Sequence, residues 1–417
     1  MQFITAKIIN LLAHHFRIDA HYFFSGAVWL TIIQAITVLG ALIVSVVFAH
    51  LLDETEYGVY RYILGIGALL SSFSLTGIGQ SVFQTSAQKH TWFYPLGIKK
   101  SLIYSLGITA SSMIGSIYYF IQDNTELALG CLLIAILQPL LNTYQQIFPF
   151  LQGEKRFRES TILQGIKTAV VTISSLGAIY FTHDIFWLVL TYLLSNTIMN
   201  VAAHFIYKPR NVATAEKTIY KRYMDYARNT SVRNIISIIA FRIDSIIIFQ
   251  QLGAANLAIY TIANILPEHI KTSFKNITTL LVPKYALHDN LDAIKKNLFK
   301  RSLQLFSIFV LITIVYIFVA PIAYEILFPK YDDVIFLSQI VALSFPAMIA
   351  LIPISALQAH TEEKRLDSFN TQTSIFMIAV TIVLTITGGI FGAVLARVIS
   401  RYVNLFLAYY HFFKVHG

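Results

Sequence analysis

Charge is scarce in this chain. Only 12% of its 417 residues are Asp, Glu, Lys or Arg, about half the share of a soluble domain. With 56% hydrophobic residues and a mean hydropathy of +0.65, one soluble core could not hide the apolar surface, so lipid must solvate most of the chain. Cysteine is nearly absent. The single Cys131 leaves no intrachain disulfide to form and says little about compartment. Alternation of apolar and polar residues is missing, so strands are not expected. No Walker phosphate loop is present, which excludes ATP hydrolysis by this chain. His14 and His15 are adjacent, hence on different helix faces, and lack further ligands. No metal site or other cofactor is expected. No Ser-His-Asp or paired-carboxylate arrangement can be built. Residues 1–22 lack a small-residue cleavage pattern and run directly into a full span, so they read as a short interfacial helix, not a secretory signal.

What is present is a series of long apolar runs. A spanning helix needs about 20 mostly apolar residues. Twelve runs qualify, near 23–50, 58–86, 98–120, 127–150, 160–181, 185–207, 231–251, 257–283, 302–328, 334–357, 369–388 and 390–413. The Gly388–Gly389 pair divides the last two. The expected fold is an all-α polytopic membrane protein.

The sparse charges are unevenly placed. The odd-numbered connections hold one basic residue, Lys330, whereas the even-numbered ones and the termini hold 23 of the 31 Lys and Arg residues. Such a bias marks the cytoplasmic side and puts both termini there. The basic loops suit anionic lipid rather than nucleic acid.

Apart from Lys99, Lys100 and Arg233 at run edges, which are counted with the connections, seven basic residues fall inside the runs: Arg61, Lys167, Arg242, Lys271, Lys275, Arg397 and Arg401. Asp244 and Glu268 are their acidic companions there. An ionised side chain at a helix centre costs roughly 2.5–3.5 kcal/mol, so six facing lipid would cost about 15–20 kcal/mol, more than a typical fold's margin. They must face partners or a wet cavity. Arg242 and Asp244 are two apart on one helix and point to different faces. Lys271 and Lys275, and Arg397 and Arg401, repeat at i,i+4, where like charges repel unless water or an anion lies between. Seven bases with two acids cannot all be neutralised internally. Arg61, Lys167 and Lys275 have a second reading, in which each snorkels toward a membrane surface. Gln80 and Gln84 could hydrogen-bond sugar or another helix, and the helix-to-helix reading is preferred. Pro139, Pro346 and Pro353 kink their helices and are hinge candidates.

The chain also repeats. "VVFAHLLDETEYGVYRYI" (46–63) aligns with "IIIFQQLGAANLAIYTIA" (246–263), and "LQGEKRFRESTI" from Leu151 with "LQAHTEEKRLDSF" from Leu357. Both segments of this second pair follow a run broken by two prolines, Pro139 and Pro149 in the first and Pro346 and Pro353 in the second. The halves are 1–210 and 211–417, six spans each. Both begin on the same side, as expected of a parallel repeat about an axis along the membrane normal. Secondary transporters are built this way, with substrate between the halves.

"LLDETEYGVYRYILGIGALLSSFSLTGIGQSVFQ", "LQGEKRFRES", "FRIDSIIIFQQLG" and "GGIFGAVLARVIS" together resemble the polysaccharide repeat-unit (O-antigen type) flippases of the multidrug/oligosaccharidyl-lipid/polysaccharide (MOP) exporter superfamily. The first loop of that family usually reads Leu-Gly-Pro-x-Glu-Tyr-Gly; here Asp53-Glu54 replaces the Gly-Pro. The resemblance implies a two-lobed fold of twelve helices in the bacterial inner membrane. It implies a substrate of undecaprenyl-diphosphate-linked oligosaccharide, destined for O-antigen or capsule, and contact with other polysaccharide assembly proteins. A cationic cavity would suit the diphosphate, since Arg binds phosphate oxygens with its fork and Lys as a point charge. Substrate lining is therefore expected of Arg242, Lys271, Lys275, Arg397, Arg401, Lys167 and Arg61. Asp244 and Glu268 are expected to pair with bases or take part in coupling to H⁺ or Na⁺, a choice the sequence leaves open. The alternatives are a cation-coupled drug or metabolite exporter of the same superfamily, which should have an acidic interior, and a membrane glycan polymerase or ligase, which should have a larger outer loop.

Overall fold

The computed structural model describes residues 20–209, 216–275, 291–331, 333–359 and 363–414. Among them every regular element is a helix. In the first half these are α1 (Ala20–Leu51), α2 (Glu54–Leu70), α3 (Ile78–Ala87), α4 (Phe93–Ile121), α5 (Thr125–Tyr144), α6 (Ile147–Gly153), α7 (Phe157–Phe181) and α8 (Ile185–Tyr207). The second half adds α9 (Lys217–Leu252), α10 (Ala254–Lys275), α11 (Leu291–Leu327), α12 (Val334–Ala342), α13 (Leu351–Ala359) and α14 (Glu363–Phe413).

Among the described residues, 8 helices are long and apolar enough to cross a membrane, or 9 with the bent α2–α3 pair. The protein is a multi-pass membrane protein. Each of the twelve apolar runs falls on a helix or a broken pair, the eighth leaving the described residues after Lys275. Ile121, Phe181 and Phe318 turn outward and are exposed, as hydrocarbon-facing residues must be.

In three places these runs are not plain straight spans. The run 58–86 is not straight: α2, extended by the 3-10 turn Ser71–Phe73, meets α3 at 63° across residues 74–77. Ser71 Oγ donates to Gly67 O at 2.9 Å and Ser74 Oγ to Ser71 O at 2.7 Å, each beside a backbone N–H that the same carbonyl accepts. No proline marks this bend. The last two runs form α14, broken at Gly389, whose φ of 59° and ψ of −142° leave the helical region. The two arms lie antiparallel: His411 Nε2 meets Gln372 Oε1 at 3.0 Å, and a Cβ on Gly392 would fall 1.8 Å from Leu384 O. Finally, α9 starts at Lys217, ahead of the apolar run 231–251, because its amphipathic first turns bury Tyr223 and Met224 against Ile78, Val82 and Phe93.

The proline-broken runs share one device. Pro139 sits inside α5, and the carbonyl it strips of an N–H partner, Ala135 O, accepts from Thr109 Oγ1 on α4 at 2.9 Å. Pro346 opens the 3-10 turn Phe345–Ala350 between α12 and α13, and Ala342 O accepts from Thr313 Oγ1 on α11 at 3.4 Å. In each half the preceding span supplies a threonine to the carbonyl four residues before a proline.

In the first half, α1 packs on α7, α4 on α5, and α8 on both α5 and α7. In the second, α9 packs on α14, α11 on α12 and the 3-10 turn, and α10 on α12. The halves meet where α2 lies on α10 and α9, and where α3 lies on α9. This contact is the seam that positions the charged residues.

Candidate functional site

The seam is built on close backbone approach. A Cβ on Gly58 of α2 would lie 1.9 Å from Ala254 O, and one on Gly77 would lie 2.4 Å from Ala227 O. Only glycine permits these crossings. At the end bearing the 51–54 and 252–254 connections, Tyr62 stacks on Phe249 at 3.7 Å. There Gln250 Nε2 donates to Tyr62 Oη at 2.9 Å, and Tyr62 Oη meets Tyr119 Oη at 2.7 Å. Lys330 Nζ also reaches His50 O at 2.6 Å. At the opposite, basic end, Gly77 N–H donates to Ser231 Oγ at 2.9 Å and Ser81 Oγ to Tyr223 O at 2.9 Å. Tyr223 Oη donates to Gln88 Oε1 at 2.8 Å. Both ends of the seam are thus in contact. Gln80, as expected, bonds another helix, accepting from Tyr226 Oη at 3.4 Å.

Between these ends lie the intramembrane charges, in two groups. The second-half group is dense. Arg397, on the second arm of α14, reaches α9 and α10: Nη2 donates to Asp244 Oδ2 at 2.9 Å and Nη1 to Asn264 Oδ1 at 2.7 Å. Its guanidinium stands over the Tyr260 ring, 5.4 Å from the centroid. Asp244 is fully engaged, since Tyr260 Oη donates to Oδ2 at 2.7 Å and the Ser245 N–H to Oδ1 at 2.7 Å. One turn on, Glu268 gathers three bases. Arg401 pairs with it, Arg397 Nη1 lies 3.4 Å away and Lys271 Nζ 3.4 Å away. Arg401 also donates to Ser344 Oγ at 2.5 Å, just before the 3-10 turn. Glu268, Lys271, Arg397 and Arg401 line a cavity of about 420 Å³ together with Ser374, Met377 and Asn404.

The first-half group is sparse. Arg61 of α2 and Lys167 of α7 line one cavity of about 280 Å³. Lys167 Nζ sits over the Phe148 ring at 5.4 Å. Arg242 of α9 joins the groups. It is exposed at the seam and lies within electrostatic reach of Arg61, Arg397, Asp244 and Tyr192.

The structure thus brings Arg397, Arg401, Lys271, Asp244 and Glu268 into one network, Arg61 and Lys167 into another, and Arg242 between them. Lys275 ends α10, and its side chain lies outside the described residues. Pro139 and Pro346 sit at the threonine-satisfied breaks, and Pro353 lies within α13. Asp244 pairs with Arg397, not with Arg242, its neighbour in sequence. Tyr260, Asn264, Ser344 and Tyr192 were not singled out from the sequence. Tyr260 carried a signal, since it aligns with Tyr60 in the repeat, and each tyrosine stands beside the arginine of its own half.

A two-sided bundle with broken spans and a charged seam defines a membrane-transporter fold. Solved structures agree with this architecture. A lipid II flippase, MurJ, in an inward closed conformation matches with a TM-score of 0.71 at 12% identity, over 94% of this chain and 89% of that one. An inward-facing multidrug resistance MATE transporter of the MOP superfamily matches with a TM-score of 0.67 at 13% identity, over 93% and 100%. A MOP transporter from Pyrococcus furiosus, described as having a binding pocket of reverse polarity, matches with a TM-score of 0.62 at 13% identity, over 95% and 96%. No curated protein matches in sequence. A family model for polysaccharide biosynthesis proteins matches residues 47–335. The chain belongs to that polysaccharide biosynthesis family.

Proposed function

We propose that this protein is a flippase. It moves undecaprenyl-diphosphate-linked oligosaccharide repeat units, precursors of O-antigen or capsule, from the cytoplasmic to the outer leaflet of the bacterial inner membrane. The observation that carries this reading is the charge balance of the seam. Arg61, Lys167, Arg242, Lys271, Arg397 and Arg401 are set against Asp244 and Glu268 in a member of a polysaccharide biosynthesis family. A net-cationic interior suits a diphosphate and disfavours cationic drugs. The charge bias of the loops supports a cytoplasmic side for the termini and the basic end.

The two halves, 1–210 and 211–417, act as lobes, a division supported by their matching Thr109–Pro139 and Thr313–Pro346 breaks. Rocking separates α3 from α9 to admit the headgroup, then α2 from α10 to release it, while the polyprenyl tail stays in lipid. Arg242 faces the headgroup at the seam. Asp244 holds Arg397 in place and is not a free coupling carboxylate in this conformation. A potential negative inside favours outward movement of an anion by about 2.3 kcal/mol per charge per 100 mV. No step of this cycle makes or breaks a covalent bond.

Reconstitution tests this directly. Purified protein in vesicles carrying the lipid-linked oligosaccharide on one leaflet should make it accessible to a lectin on the other. A lectin signal no faster than in protein-free vesicles, under both an imposed potential and an imposed pH or Na⁺ gradient, would refute it.

A further inference from the structure

The basic end of the seam is closed by the first turns of α9, and that segment has two faces. Its inner face buries Tyr223, Met224 and Ala227 and makes the contacts to α3. Its outer face carries Lys217, Lys221, Arg222 and Arg228, all exposed. Arg228 is engaged: its Nε donates to Tyr104 Oη of α4 at 3.0 Å, and Nη1 lies 3.6 Å from Asp225. Among the described residues, no carboxylate forms an ion pair with Lys217, Lys221 or Arg222. Lys217 and Lys221 stand one turn apart, where like charges repel, and cations at a helix start also oppose its dipole. Glu216 at the N-cap makes no capping bond and leaves the face net positive.

The depth of this face is set by its neighbours. Tyr223 Oη reaches Gln88 Oε1 at 2.8 Å, and the Tyr220 and Tyr223 rings each lie 6.1 Å from the Phe93 ring. Gln88 and Phe93 belong to the connection between the second and third apolar runs, beside Trp92. The first turns of α9 therefore stand level with the point where the chain leaves the hydrocarbon, among the Trp and Tyr side chains that favour a membrane interface. Exposed cations at that level meet lipid headgroups. An anionic leaflet fits them, since it strengthens attachment about fivefold for each Lys or Arg near its surface.

We propose that the cationic face of α9 formed by Lys217, Lys221 and Arg222 docks on anionic phospholipid headgroups, and that this attachment holds the basic end of the seam shut. One helix carries both functions. The cations at 217–222 are continuous with Tyr223, Met224 and Ser231, which meet α3 and the Gly77 N–H beside it. Separating α9 from α3 shifts the cations relative to the headgroups, so the lipid composition of that leaflet sets how often this end opens. The inference needs no substrate. It rests on the flippase reading only for the rocking step that the lipid would regulate.

The experiment uses the full chain in nanodiscs, with Met224→Cys placing a thiol at a buried position of the contact. A neutral thiol reagent reads its exposure, and the parent chain, whose Cys131 is buried, gives the background. Raising phosphatidylglycerol from none to about a third of the lipid should slow labelling at least fivefold. It should also raise the melting temperature of the chain without the added cysteine. Lys217→Gln, Lys221→Gln and Arg222→Gln combined should abolish both effects. Lys99→Gln, Arg158→Gln and Lys414→Gln combined remove the same charge from exposed positions on other elements and should keep most of them. Salt at about 1 M, where the Debye length is about 3 Å, should erase them. No effect of phosphatidylglycerol on labelling or melting, or an equal effect on wild type and the α9 triple variant, would overturn the proposal. Slower labelling with polyglutamate in zwitterionic nanodiscs, but not with phosphatidylglycerol, would assign the face to an acidic protein and also overturn it. The lipid-linked oligosaccharide is absent from this assay, so failure here and failure of the flippase reading in the lectin assay can be told apart.

Discussion

Arg397→Gln should destabilise the fold far more than loss of one surface charge. Its partner Asp244 is 5% exposed and Arg397 itself 15% exposed in their side chains, so solvent cannot replace the lost guanidinium. Removing one member of a buried pair typically costs about 3–5 kcal/mol, because the other charge is left uncompensated. Asp244 would keep the Tyr260 Oη and Ser245 N–H donors, and Glu268 would keep Arg401 and Lys271. The loss should therefore lie near the lower bound, about 3 kcal/mol. Asp244→Asn should cost a similar amount, by stranding Arg397 with only part of its partners. In the double variant the amide pair can hydrogen-bond without net charge. The two losses should overlap by about 2 kcal/mol, within the range of contacting residues. A double-mutant cycle on purified protein, unfolded by denaturing detergent in mixed micelles, measures this. If the two losses add to within about 0.5 kcal/mol, or if Arg397→Gln is neutral, the pair does not hold α9 to α14 as described.

Other outcomes follow from the same contacts. Gly58→Ala should prevent accumulation of folded protein, since its Cβ would meet Ala254 O at 1.9 Å, whereas Gly177→Ala, with nothing within 4 Å, should be silent; membrane-fraction yield separates them. Arg242→Gln should abolish transport yet leave the protein inserted and thermally stable, because no hydrogen bond or ion pair of the described residues anchors Arg242; full activity in the lectin assay would contradict its place in the path. Tyr62→Phe with Gln250→Leu removes the Gln250 hydrogen bonds to Tyr62 and Tyr119 across one end of the seam. It should raise labelling of a cysteine placed at Phe249 by an outer-side thiol reagent severalfold, and unchanged labelling would show that this contact is not a gate. Thr109→Val leaves Ala135 O without its donor and should cost about 1 kcal/mol of stability, as loss of one intramembrane hydrogen bond does.

Much of this fold could be read before any coordinates, and the reason is physical. Lipid demands continuous apolar runs with internally satisfied backbone, so twelve runs and a hairpin at Gly389 stand out by composition alone. The intramembrane charges stand out for the same reason. Their partners do not. Nothing local tells that Asp244 belongs to Arg397, 153 positions away, rather than to Arg242. That choice is made by the packing of α9 on α14. The bend between Phe73 and Ile78 was hidden because no proline marks it. Gly58 and Gly77 lay in plain view, but their meaning depends on which backbone crosses there. The cavity of Arg61 and Lys167 likewise joins residues of four helices that no spacing rule connects.

The central claim is that lipid-linked repeat units cross the membrane through the cationic seam. Its most direct test is to delete the gene in its host and determine which leaflet holds the undecaprenyl-diphosphate oligosaccharide. Single repeat units should accumulate on the cytoplasmic face, with surface polysaccharide lost, and the wild-type gene but not Arg242→Gln should reverse both. Units that still reach the outer face, or a glycan profile that does not change, would contradict it.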